Sequence, residues 1–216
     1  MLNNIFEILW SLPAVLIAIT VHEYAHGLVA YLNGDRTAQL AGRLTLNPLA
    51  HLDPVGTLML ILFRFGWAKP VPVNYNNLNN PKKDMILVSL AGPVSNVLIA
   101  FLFALLVRFN NMVLQNIISA NLSSIPQLLM TFIKGWFIFL QTGVIINLAL
   151  AIFNLIPIPP LDGHHIMLGI LPREWALQYA KINNTYGIII LLFLIWSGFV
   201  GKIMLPVVFY LFRLFV

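Results

Sequence analysis

The chain has no cysteine, which excludes disulfides, iron–sulfur clusters and thiolate metal sites. Any metal here would have to rest on His, Asp and Glu. Charge is scarce as well: 9% of the 216 residues are Asp, Glu, Lys or Arg, against about 25% in an ordinary soluble domain. With 60% hydrophobic residues, the apolar surface exceeds what one water-surrounded core could hide, and the excess must face lipid. Acidic residues are the rarer sign, 7 against 12 basic. The cations are scattered beside membrane-length apolar runs and form no basic stripe, so they report membrane topology and no nucleic-acid partner is expected. There is no internal repeat and no low-complexity tract.

The apolar runs predict an all-α polytopic membrane protein in a single embedded domain, residues 1–216. Residues 5–32, 85–107 and 131–156 each reach the roughly 20 residues that cross a bilayer core, and residues 186–216, interrupted by Lys202 and Pro206, are expected to form one bent helix. That makes about four full transmembrane helices. Residues 55–65 are too short to cross and suit a re-entrant or partial segment. Residues 37–47 alternate loosely around Leu40, Leu44 and Leu46 and predict a small β-hairpin-like loop after the first helix, whose edge could hold an unwound substrate strand. Arg36, Arg43, Lys69, Lys82, Lys83, Arg173 and Lys181 fall on one side of the predicted spans, which is therefore assigned to the cytoplasm, with the N-terminus outside.

Within the first span stands His22-Glu23-Tyr24-Ala25-His26. Residues four apart on a helix share a face, so the two imidazoles can meet one metal with Glu23 beside them. Zn²⁺ accepts neutral imidazole and keeps an open position for water in catalytic sites, and a neighbouring carboxylate can take that water's proton. Isolated histidines are more often packed, hydrogen-bonded side chains. Three ionisable groups inside one membrane span, however, cost about 2.5 to 3.5 kcal/mol apiece at the bilayer centre unless something satisfies them. A third ligand should lie near the inner end of another span. Asp162 fits, since Pro157, Pro159 and Pro160 break the helix before it and Gly163 frees the backbone after it; the plain alternative is a turn or helix cap. Asp53 is expected to cap the short segment that follows His51, and residues 67–74 to brace the inner mouth of the site or to lie at headgroup level through Trp67.

These motifs, together with Gly42-Arg43-Leu44-Thr45-Leu46-Asn47-Pro48, His51-Leu52-Asp53-Pro54-Val55-Gly56, residues 66–74, Ala91-Gly92-Pro93-Val94-Ser95-Asn96 and residues 154–163, make the chain resemble the site-2 protease family of intramembrane zinc metalloproteases, in its compact prokaryotic form without a PDZ domain. The resemblance runs nearly end to end. It implies one Zn²⁺ per chain on His22, His26 and Asp162, Glu23 as general base, Asn154 as oxyanion stabiliser and Asn96 as a second functional asparagine. It also implies transmembrane proteins or peptides as substrates and a multi-pass location in the plasma membrane, with the site toward the cytoplasm. His164-His165 departs from the small, polar or basic residues usual after the Asp-Gly pair, and an interfacial role is the simpler expectation for it. The competing functions are a non-proteolytic membrane metal-ion transporter and a membrane-helix-binding scaffold.

Overall fold

The computed structural model describes residues 2–63, 66–119 and 126–216. Among them the elements are α1 (Leu2–Leu32), α2 (Thr37–Leu40), α3 (Pro54–Phe63), α4 (Pro81–Ser119), α5 (Gln127–Asn154), α6 (Asp162–Ile170), α7 (Arg173–Trp196) and α8 (Leu205–Phe215). Short 3₁₀ turns lie at Pro48–His51 and Tyr75–Asn77, and a π turn at Val200–Met204. Among the described residues three helices are long and apolar enough to cross a membrane: Ile5–Leu32, Pro81–Gln115 and Gln127–Asn154. A fourth span exists only if the two arms of α7, Arg173–Asn183 and Thr185–Trp196, bent by 64°, count as one.

Helices α1, α4 and α5 pack against one another as a three-helix bundle. Two glycines set its spacing. A Cβ on Gly135 would lie 2.1 Å from the Trp10 ring, and one on Gly143 would lie 2.5 Å from the Phe103 ring, so α5 seats an aromatic side chain from α1 and another from α4 in notches without side chains. Below these, Ala100, Phe103, Ala104 and Val107 of α4 meet Leu140, Val144 and Leu148 of α5, with Met204 and Val208 closing the cluster from the tail. Lipid is the natural partner of the large apolar side chains that remain outside, among them Leu98, Phe101 and Leu105.

The expected loop of strands does not form, and no strand exists among the described residues. The reason is local. Asp35 accepts hydrogen bonds from the Thr37 amide and hydroxyl and starts the helical turn α2. Gly42, at φ 64°, ends it, with the Arg43 amide returning to the Ala38 carbonyl at 2.8 Å. The amides of residues 40–43 are thus all bonded within the turn. Among the described residues the one β-bridge lies elsewhere, between Leu52 and Ala68, antiparallel, and carries the Lys69 amide to the His51 carbonyl at 2.9 Å.

The tail differs too. Helix α7 already begins at Arg173 and ends at Trp196, and Gly198, at φ 80°, separates it from the π turn and α8. Two segments therefore replace one bent helix. Helix α4 runs well past residue 107, because neither Gly nor Pro interrupts residues 108–119 and Met112, Leu114 and Gln115 favour helix. The short segment is helix α3, begun as expected by Asp53, whose carboxylate accepts from the Gly56 amide at 2.7 Å. Residues 64 and 65 of that segment lie outside the described residues.

A candidate metal centre

Helix α1 carries His22 and His26 toward α4 because α4 offers no side chain at the point of contact. A Cβ on Gly92 would lie 2.3 Å from His26 Nε2 and 2.6 Å from His22 Cε1. Both imidazoles are buried, and each is held by its other nitrogen: His22 Nδ1 lies 2.6 Å from Asn96 Oδ1, and His26 Nδ1 2.7 Å from the Val88 carbonyl. A carbonyl oxygen can only accept, so His26 carries its proton on Nδ1. Asn96 donates through Nδ2 to the Ala18 carbonyl and to Asn147 Oδ1, which turns its Oδ1 to His22 and puts that proton on Nδ1 as well. Asn147 in turn donates to the Gly143 carbonyl. The chain of amides is complete and fully buried.

In the neutral rings both Nε2 atoms therefore present lone pairs, and these face each other at 3.1 Å. Asp162 completes the group: its Oδ2 lies 3.3 Å from His22 Nε2 and its Oδ1 3.3 Å from His26 Nε2. One ligand atom from each of the three residues lies within 4.8 Å of the others. Acceptors converging in a buried place repel one another unless a cation or proton sits among them, and Asp162 Oδ2 has no hydrogen-bond partner. Ligands at the 2.0 to 2.1 Å of zinc in a tetrahedron stand about 3.3 Å apart, which matches these separations. The group is thus fit to hold zinc.

Asp162 reaches this place at the first turn of α6. A Cβ on Gly163 would lie 2.4 Å from the Leu155 carbonyl, so the glycine lets α6 start directly against the end of α5. Glu23 takes a different direction from the histidines: its Oε2 accepts the Val71 amide at 2.8 Å. Val71 lies between Pro70 and Pro72 and is therefore the sole backbone donor of that short stretch. The segment around it is fastened by Arg43 Nη2 to the Lys69 carbonyl at 2.7 Å and by the Asn74 amide to Asp35 Oδ2 at 2.7 Å.

The asparagines separate. Asn96 supports His22, whereas Asn154 donates its amide to the Leu150 carbonyl of its own helix at 3.0 Å and, among the described residues, makes no hydrogen bond to the cluster. His164 and His165 join a row of rings instead of the cluster. Tyr75 lies 4.8 Å from His165, His165 lies 5.2 Å from His164, and His164 stacks at 5.2 Å on Tyr179, whose hydroxyl donates to the Pro157 carbonyl. His51 is wholly buried and bonded through Nε2 to the Thr45 carbonyl. The sequence reading missed two partners. One, Val88, offers only a backbone carbonyl and leaves no signal in side-chain identity; the other, Val71, is marked by its flanking prolines.

Residues 10–194 match peptidase family M50. YwhC of Bacillus subtilis, a zinc metalloprotease by name, is 40% identical over 181 residues, covering 83% of this chain and 77% of its own. Two mycobacterial proteins named Rip2, likewise zinc metalloproteases by name, are more distant. That of Mycolicibacterium smegmatis is 27% identical, covering 83% of this chain and 64% of its own; that of Mycobacterium tuberculosis H37Rv is 26% identical, covering 92% and 71%. No solved structure matches significantly. The His-His-Asp group lies inside residues 10–194, the stretch matched to the family, and with apolar helices long enough to pass a bilayer several times the chain belongs to peptidase family M50, the site-2 proteases, as a membrane metalloprotease that uses zinc.

Proposed function

We propose that this protein cleaves peptide bonds in or near the transmembrane segments of membrane proteins, with His22, His26 and Asp162 holding zinc and Glu23 serving as general base. The observation that carries the reading is the convergence of three lone-pair donors, two buried imidazoles and a half-buried carboxylate, on apolar helices, with Glu23 next to His22 in sequence. Zinc, when bound, supplies a Lewis acid that polarises a carbonyl and lowers the pKa of water to about 7.

The chain's own residues do the rest. Val71 holds one oxygen of Glu23, which leaves Oε1 to receive a proton from water and return it to the leaving amine. Asn96 and the Val88 carbonyl keep both histidines in the Nδ1-protonated form that exposes Nε2. Asn154 acts as oxyanion donor once its amide leaves the Leu150 carbonyl. A helical substrate must unwind before its carbonyls can reach such a site. The basic residues grouped on the α2, α4-start and α6–α7 side assign the site to the cytoplasmic half of a bacterial plasma membrane, with the N-terminus outside. A transporter would line several spans with inward-facing ionisable groups; here His22, His26 and Asp162 gather at a single point.

The test uses purified full-length protein, a helical membrane substrate and metal analysis in parallel. Glu23→Gln is expected to lower hydrolysis by at least 100-fold while keeping zinc. Asp162→Ala is expected to lose zinc and activity together. A fully active Glu23→Gln variant would refute the mechanism.

A further inference from the structure

Away from the metal centre, where α4 begins, a pocket of about 340 Å³ is lined by Lys82, Arg173, Leu168, Leu171, Leu177 and Ala176. Its walls come from α4, from α6 and the turn after it, and from the first turns of α7. The first two are locked together. A Cβ on Gly169 would lie 2.2 Å from Ile86 Cγ1, so α6 presses directly on α4, and Lys82 Nζ donates to the Leu171 carbonyl at 2.9 Å. That bond uses one of the three ammonium donors. Among the described residues Arg173 has no hydrogen bond and no ion pair, and the ion pairs are confined to Asp162 with the two histidines. Glu174, next in sequence, neutralises neither cation at contact distance. Lys83 adds a further exposed positive charge on the first turn of α4, and Trp175, 67% exposed, follows Arg173 on α7.

Each half of this arrangement points to the same ligand. Unpaired cations at the end of a membrane helix call for a phosphate, and the leucine wall directly beside them calls for hydrocarbon. A soluble anion would gain nothing from that wall, and a neutral lipid would leave both cations unanswered. An exposed Trp at this level is the side chain that commonly marks the headgroup layer. We propose that the pocket binds one anionic phospholipid, with its phosphate between Lys82 and Arg173 and an acyl chain along Leu168, Leu171 and Leu177. The bound lipid ties α7 to α4 and α6. This site depends on the membrane setting of the chain and not on its protease activity.

The experiment is native mass spectrometry of the full-length protein in mild detergent with equal amounts of phosphatidylglycerol and phosphatidylcholine. One phosphatidylglycerol is expected to be retained in preference to phosphatidylcholine. The Lys82→Gln, Arg173→Gln double variant should lower its retention at least tenfold, and Lys134→Gln, Lys202→Gln should not. Thermal melting in nanodiscs of phosphatidylcholine alone checks the fold. If the double variant fails there, Arg173→Gln, which removes no hydrogen bond or ion pair among the described residues, carries the comparison. Equal retention of the two lipids, unchanged retention in the variant, or displacement by millimolar inorganic phosphate would each overturn the proposal.

Discussion

Asn96 has three buried partners: it accepts from His22 and donates to Ala18 and Asn147. Truncating it strands an imidazole N–H and an amide oxygen away from water, a loss of about 1 to 3 kcal/mol for each group left unsatisfied. Asn96→Ala is therefore expected to weaken zinc binding about 10- to 100-fold, as loss of an outer partner of a ligand commonly does, read by competition with a calibrated chelator. The His22 and His26 spacing and the break before Asp162 were legible in the sequence, because helix period and proline chemistry are local. The job of Asn96 was not, since its partner lies 74 residues away on another helix. The same sequence pattern served an oxyanion donor equally well.

At the scale of elements, the stretch between α1 and α4 does the positioning. Helix α1 ends in a left-handed glycine, Gly34 at φ 105°, with the Asp35 amide reaching back to the Ala30 carbonyl at 3.0 Å and the Gly34 amide to Tyr31 at 3.2 Å. The turned chain then delivers Asp35 to its four donors. Burial alone would raise this carboxyl's pKa, but bonds from Thr37, Asn77 and the Asn74 amide outweigh it and hold the pKa below the ordinary aspartate value. A depressed folded pKa contributes stability above the unfolded value of about 3.9, and that contribution fades as pH falls through the lower folded value. Asp35→Asn should cost about 2 kcal/mol at pH 7 and flatten the loss of thermal stability between about pH 5 and 3, measured by melting curves in detergent. The hairpin expected here failed for the same reason: loose alternation reads as strand, yet one aspartate placed two residues earlier settles the backbone as a turn. Val71 tests the other end. Val71→Pro removes the amide that holds Glu23 and should lower kcat at least tenfold with zinc content unchanged. Val71→Ala keeps the amide and should retain most of the activity, by steady-state kinetics on a helical substrate.

For the molecule as a whole, the metal group joins α1 to α6 across most of the sequence. An ion that binds only the folded form stabilises it by about 4 kcal/mol at a thousandfold excess over its Kd. Chelation is thus expected to lower the melting temperature by several degrees and abolish hydrolysis, with both restored by zinc and followed by scanning calorimetry alongside activity. The first three long helices, α1, α4 and α5, were readable in order from apolar length alone, whereas the expected fourth span was not. The tail was not, because its sequence holds several candidate breaks, and Met204 and Val208 pack into a cluster formed by residues far away in sequence. Finally, the two notches of α5 act as keyholes on a single shaft. A slide of α5 by one helical turn, about 5.4 Å, would eject the Trp10 and Phe103 rings together. The height at which α5 ends, and so the level at which Asp162 comes to face α1, is gauged by two aromatic keys that never touch the chemistry.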